Sequence, residues 1–407
     1  MSYPFRPVEK WDVHTHTTLS PDTYAPLEKF THYDRFIRVR AHKDKPCCAE
    51  MVNNHGEVQR EIEADAFDAN IRLRACDAAG VTVQVLSPTP MMIPDFVDNA
   101  QHAAEICKIL NDDNAATVAL YPHRFQALGA LPMMFPDHAI RELERLITIG
   151  IKGVEINSNI NDKELDDPLF FPIFEAAQAL GLAVFIHPWG GFMSPSEPRL
   201  QQRMHAGKNW RPWLIGMGGC ETALAFDAMR SGNVHARLPK LRVLYAHGGG
   251  AFPALLGRLE HGAYCRPDLF TYASQKTPYD TVKACSIYVD TLTHNPWMLE
   301  FLIHTLGTRR IAMGSDYPYP LGEIDPFDAT SLQDPKGNQC PYSQPKGIYP
   351  GHMVEHLPGP KTDMATAYRH FNWIADESAD GPRELPRLSD AQKEQLLSGT
   401  AKEWLGL

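Results

Sequence analysis

Trp11-Asp-Val-His-Thr-His16 is the stretch around which the rest of the chain can be arranged. In an extended strand successive side chains point to opposite faces, so His14 and His16 share one face while Val13 and Thr15 turn to the other. Two imidazoles presented side by side suit a divalent cation. Such an ion needs a further nitrogen or oxygen ligand and a carboxylate, with a position left open for water. Three later stretches end in residues of that kind: Ala183-Val-Phe-Ile-His187, Arg242-Val-Leu-Tyr-Ala-His247 and Ile311-Ala-Met-Gly-Ser-Asp316.

Those stretches recur within a regular alternation. After the first strand, residues 17–68 show no sustained period, an insertion too long for an ordinary connection and expected to cover a site. Asp68 then reads as the N-cap of a helix through Asp77, closed by Gly80, and Val81–Ser87 is a β-prone run. A helix over Asn99–Leu120 leads to a strand over Phe125–Leu131. Asp137 reads as the cap of a helix whose Ile140, Leu143, Leu146 and Ile147 recur at helical spacing as far as Gly150. Ile151–Ile156 is the next strand. Asp167-Pro168 opens a helix to Leu180, Gly181 ends it, and the strand to His187 follows. An irregular segment from Pro188 to about Ala223, a helix, and strands ending at His247, Asp290 and Gly314 complete the pattern.

Eight strands separated by helices predict an α/β fold, a (β/α)₈ TIM barrel. The alternative, a doubly wound open sheet, lacks the G-x-G-x-x-G turn after its first strand. A single barrel domain over 1–407 is expected, with insertions at about 17–68 and 326–382. The second is rich in Pro, Gly, Asp and Gln, with one helix-like run near Thr362–Ala375. Ser389 and Gln392 make a capping-box pattern for a final helix.

Composition narrows the function. The chain has 407 residues, 43% hydrophobic and 22% charged, ample for a core, and its formal charge of −10 disfavours nucleic acid or an anionic membrane as partner. An anionic substrate must then be met by locally placed arginines. No apolar run long enough to span a bilayer and no secretion signal is read, so a cytoplasmic protein is expected. The eight cysteines (47, 48, 76, 107, 220, 265, 285 and 340) show neither C-x-x-C nor zinc-finger spacing, and reduced thiols are expected, Cys47 and Cys48 as ordinary loop thiols.

In a barrel of this kind the active site forms at the C-terminal ends of the strands, where His14, His16, His187, His247 and Asp316 all fall. A lone histidine among the 18 present would be a surface or core residue, but four at strand ends with an aspartate beside them call for a metal. Neutral imidazoles with one carboxylate suit Zn²⁺, and Fe²⁺, Co²⁺ or Mn²⁺ could use the same ligands.

These residues lie in stretches that resemble the decarboxylase branch of the amidohydrolase superfamily: Asp12-Val-His-Thr-His16, Gly80-Val-Thr-Val-Gln84, Phe185-Ile-His-Pro-Trp189, Ala246-His-Gly-Gly-Gly-Ala-Phe-Pro253, Gly257-Arg258, Arg266-Pro-Asp-Leu269 and Gly314-Ser-Asp-Tyr-Pro-Tyr-Pro-Leu-Gly-Glu323. The resemblance implies a metal-dependent, non-oxidative decarboxylase of a carboxylated muconate semialdehyde or a hydroxylated aromatic acid. A hydrolase of the same superfamily, opening a lactone or amide, is the alternative. It implies metal ligation by His14, His16, His187 and Asp316, with His247 serving a metal-bound water as acid/base; a fourth nitrogen ligand is the other role open to His247. It also implies carboxylate binding by Arg60 and by Arg258, the latter reaching into a neighbouring subunit of a homodimer or larger homo-oligomer. Trp210 matches a pocket aromatic able to stack on a flat substrate. Glu155 has no acidic counterpart in the family and is left outside the metal set. No lysine stands at the end of the fourth strand to bridge two ions, so one metal per subunit is expected.

Overall fold

The computed structural model describes residues 8–189, 219–268, 276–319, 321–323, 349–364, 367, 371 and 384–407. Eight parallel strands form one sheet: β1 (Trp11–Asp12), β5 (Val83–Leu86), β6 (Phe125–Gly129), β7 (Gly153–Asn157), β8 (Ala183–His187), β9 (Val243–Tyr245), β10 (Ile287–Asp290) and β11 (Ile311–Ala312), each hydrogen-bonded to the next. The first and last strands meet through irregular bonds. Val13 N–H donates to Met313 O at 3.0 Å, Asp316 N–H to His14 O at 2.8 Å and His16 N–H to Tyr317 O at 2.7 Å. Asp12 reinforces the seam by accepting from the Ser315 hydroxyl at 2.6 Å. The result is the (β/α)₈ barrel that the alternation predicts.

Strand composition follows from its two sides. In β7, Val154 and Ile156 join the outer core with Leu143, Leu146, Ile173 and Phe174 of the flanking helices, while Glu155 and Asn157 alternate with them. Inside the barrel, Val13, Val85, Leu128, Phe185 and Leu244 pack with Trp404 of the C-terminal helix. Arg242, immediately before β9, donates to Trp404 O at 2.5 Å, so that helix closes the end where the strands begin. The opposite rim is left for the site.

Helix boundaries follow local chemistry. The Asp68 carboxylate accepts from the N–H groups of Asn70 and Ile71, and Gly80 adopts the left-handed conformation that ends helix Ala69–Ala79. Ser389 and Gln392 form the expected capping box. Two expectations are corrected. Phe135, not Asp137, stands at the N-cap of helix Pro136–Thr148, because Pro136 takes the first helical position, where its missing N–H costs nothing. The helix expected from Asp167-Pro168 starts at Phe171, since Asp167 caps the N–H of Leu169 in the preceding turn at 2.9 Å.

The insertion 17–68 is more ordered than its sequence suggests. It contains an antiparallel sheet of β2 (Arg38–Ala41), β3 (Cys48–Val52) and β4 (Val58–Glu63). Met51 and Ile62 of this sheet pack with Met92, Ile93 and Tyr319 from the barrel rim, which seats the sheet over the site. Cys47 and Cys48, expected in a loop, are buried, their sulfurs 3.5 Å apart, and Cys48 begins β3. The later insertion, 326–382, and Trp210 fall mostly or wholly outside the described residues. Among the described residues no helix is long and apolar enough to cross a membrane.

Candidate metal centre

At the rim His14, His16, His187 and Asp316 bring one ligand atom each to within 4.8 Å of one another, all from buried side chains. Asp316 Oδ1 lies 3.1 Å from His16 Nε2 and 3.5 Å from His14 Nε2. The rings of His16 and His187 are 4.8 Å apart, nearly perpendicular, so they point at a shared centre rather than stack. Among the described residues, His14 Nε2 and both ring nitrogens of His16 and of His187 have no hydrogen-bond partner. Buried polar atoms are ordinarily satisfied, so this many orphaned nitrogens around one carboxylate fit a cation. Three imidazoles and one carboxylate are the donor set of a divalent-metal site.

Electrostatics agree with that fit. Burial, followed by the charges of the neighbouring histidines, holds His187 well below the usual imidazole range, and burial pushes His16 down to about 4. Both are therefore neutral, with lone pairs free. Burial opposes ionisation of Asp316, but the close approach of His16 Nε2 and the charges of His14, His16 and His247 outweigh it and bring the carboxyl down to about 2. His14 differs: burial disfavours its charge, yet its hydrogen bond to Asp290 and the nearby carboxylates raise it above the ordinary value.

His247 stands beside this set, its ring 5.1 Å from those of His14 and His187. Burial and the charge of His14 push it down to about 4, so it is a neutral base, its Nδ1 unpartnered among the described residues. Both His247 (φ 57°) and Asp316 (φ 59°) occupy the left-handed region that non-glycine residues avoid. Strain of this sort persists where surrounding contacts over-determine it, here at two residues of one site.

Three further residues, none singled out from the sequence for these roles, shape the centre. Asp290, the last residue of β10, accepts from His14 Nδ1 at 2.7 Å and from the N–H groups of His247 and Gly248 at 2.9 and 2.7 Å. An outer carboxylate of this kind fixes the tautomer of a ligating histidine. Its position at a strand end was the available signal. Arg72, buried in helix Ala69–Ala79, donates to His16 O at 2.5 Å and Gln84 Oε1 at 3.1 Å, tying β1 to β5. Glu155 accepts from the Ser87 hydroxyl and lies 3.7 Å from His16 Nδ1; burial raises it to about 8.

Arg60, on β4, places its guanidinium 4.3 Å from the Tyr319 ring centre, and that ring lies 5.5 Å from His16. Arg60 also lines a cavity of about 450 Å³ together with Asn157 and Trp189, at the strand ends that carry His187. Arg258 is exposed on helix Phe252–Cys265, apart from this subunit's cluster.

A (β/α)₈ barrel with a rim site of three histidines and one aspartate defines a class of metal-dependent enzymes. The chain belongs to the amidohydrolase family, whose pattern it matches over residues 11–407. It is 38% identical over 318 residues to the 2-amino-3-carboxymuconate-6-semialdehyde decarboxylase of Dictyostelium discoideum, covering 78% of this chain and 84% of that one. Its fold is similar to that of 5-carboxyvanillate decarboxylase from Sphingomonas paucimobilis, with a TM-score of 0.66 at 22% identity, over 98% of this chain and 99% of the other. It is also similar to a dihydroxybenzoic acid decarboxylase from Polaromonas sp. JS666 solved with manganese, with a TM-score of 0.65 at 19% identity, over 98% and 97% of the two chains.

Proposed function

We propose that the chain, a metal-dependent decarboxylase of the amidohydrolase superfamily, removes CO₂ without an oxidant from a carboxylated muconate semialdehyde or a hydroxylated aromatic acid in aromatic-compound catabolism. One observation carries this: the ligand atoms of His14, His16, His187 and Asp316 converge beside a neutral His247, with Arg60 stacked on Tyr319, whose ring lies 5.5 Å from that of His16. The 38% identity to the Dictyostelium decarboxylase supports the semialdehyde as the first substrate to try.

His14, His16, His187 and Asp316 would hold one divalent ion per subunit, zinc by the chemistry of its donors, although the Polaromonas relative carries manganese. When bound, the ion supplies Lewis-acid chemistry, acidifying water and polarising substrate oxygen. The remaining work falls to side chains. Arg60 offers a guanidinium fork to a substrate carboxylate, and its stacking on Tyr319 fixes the plane of that fork. His247, neutral at physiological pH, takes a proton and returns it to the carbon from which CO₂ departs. The carbon keeps the electron pair of the broken C–C bond, so one proton delivered there balances the reaction. Arg258 serves the neighbouring subunit's site in a homodimer, consistent with its exposure here. The whole chain acts as one barrel domain in the cytoplasm, a compartment that keeps thiols reduced.

The test is release of ¹³CO₂ from carboxyl-labelled substrates by the metal-loaded protein. A product that gains water and keeps its label would instead identify a hydrolase.

A further inference from the structure

His14 and His16 turn their Nε2 atoms to the same carboxylate, at 3.5 and 3.1 Å from Asp316 Oδ1, so Nδ1 is the outer nitrogen of both rings. A histidine that ligates through Nε2 keeps a proton on Nδ1, and in a buried site that N–H needs an acceptor. For His14 the acceptor is in place, Asp290 at 2.7 Å. His16 Nδ1 makes no hydrogen bond among the described residues. Glu155 Oε2 stands 3.7 Å from it.

Glu155 is hard to explain as scaffolding. It pairs with Phe185 in the register of β7 and β8, and Phe185 packs inside the barrel with Val13, Val85, Leu128 and Leu244. An ionisable side chain with 0% exposure beside that apolar interior is costly unless its oxygens are engaged. Oε2 accepts from the Ser87 hydroxyl, whereas Oε1 has no partner among the described residues. A ring short of an acceptor and a carboxyl short of a donor are thus neighbours, both sealed from solvent. Closing 3.7 Å to a hydrogen bond takes about 0.5–1 Å of side-chain movement.

We propose that Glu155 is a positioning residue: its carboxyl accepts from His16 Nδ1–H in the metal-loaded protein and holds that ring with Nε2 turned to the metal, as Asp290 does for His14. The ionised and the protonated carboxyl both keep an oxygen able to accept, so the role does not depend on its charge. It rests on the metal centre proposed above and is independent of which acid is decarboxylated.

Two measurements on the full-length protein test this. The first is a crystal structure of the zinc-loaded wild type. His16 Nδ1 and a Glu155 oxygen should lie within about 3.2 Å of each other; a longer separation, or Glu155 bound to the ion itself, would overturn the assignment. The second is zinc affinity by competition with a chromophoric chelator, at a temperature where circular dichroism shows each metal-free protein folded. Glu155→Met, which keeps the side-chain length and removes both oxygens, should bind zinc about 10- to 100-fold more weakly than wild type. Glu155→Gln, whose amide oxygen still accepts, should recover most of that loss. A purely structural role would instead lower the melting temperature of metal-free Glu155→Met and leave its zinc affinity at the wild-type value, which would defeat the proposal. Equal loss in the Met and Gln variants would defeat it too, by making charge rather than the hydrogen bond the contribution. Wild type that binds no zinc would refute the metal centre itself, a failure distinct from wild type and Glu155→Met binding zinc equally well.

Discussion

Asp290→Asn preserves the volume of a buried side chain and replaces one of its two oxygens with an NH₂ group. In the native protein Asp290 Oδ2 accepts from His14 Nδ1 at 2.7 Å and from His247 N–H at 2.9 Å, while Oδ1 accepts from Gly248 N–H at 2.7 Å and Leu292 N–H at 3.0 Å. Whichever way the amide turns, its NH₂ meets two donors. Facing Gly248 and Leu292, it strands two backbone N–H groups, each at a cost of about 1–3 kcal/mol. Facing His14, it forces the ring to offer Nδ1 as an acceptor. The proton then sits on Nε2, the atom that points toward Asp316. The first orientation costs stability; the second costs the metal, since a protonated nitrogen cannot ligate. Loss of an outer partner typically weakens a metal site about 10- to 100-fold. Thermal unfolding of the metal-free protein and a zinc titration against a chromophoric chelator read the two effects separately. A variant that is destabilised yet holds zinc as tightly as wild type would refute a role for Asp290 in setting the His14 tautomer.

His187→Ala should lose the metal, whereas His247→Ala should retain it and lose turnover; equal metal loss in elemental analysis would make His247 a ligand. Gly314→Ala would place a Cβ 2.7 Å from the His14 Cβ and 2.8 Å from the Asp290 Cβ, so metal affinity and melting temperature should fall together, by about 1–3 kcal/mol in stability. Inactive Arg258→Ala and His247→Ala proteins, mixed and allowed to exchange subunits, should regain roughly a quarter of wild-type activity, because only the mixed dimer holds one complete site; no recovery would place Arg258 outside the neighbouring site.

Much of the site was legible because a barrel converts position along a strand into position in space. His187 lies 171 residues beyond His16, yet both end strands, and strand ends share one rim. Pairing between side chains was not legible in that way. The partner of His14 Nδ1 is 276 residues away, and nothing in Ile287-Tyr-Val-Asp290 distinguishes a carboxylate that orients a ligand from one that caps a turn. The sheet in the first insertion was hidden for a different reason. All five residues of β3 are buried, and β4 is largely exposed, so neither shows the alternation that marks a strand buried on one face. Its pairing is set by contacts with Met92, Ile93 and Tyr319, which lie far along the chain.

The same distinction explains why the candidate ligands and the cavity-lining residues differ in how they were found. A metal restricts its donors to a few residue types, and H-x-H with strand-end His and Asp survives as a pattern in one dimension. Substrate selection sets no such restriction. Asp95 sits in Ile93-Pro-Asp-Phe96, an unremarkable turn sequence, and only the fold brings it to the wall of a cavity with Asn157 and Arg60. Chemistry common to a superfamily is therefore written in motifs, while the choice among acids is written in contacts between elements. For this chain the cavity walls to which such contacts belong are supplied by β4, the turn after β5 and the end of β7.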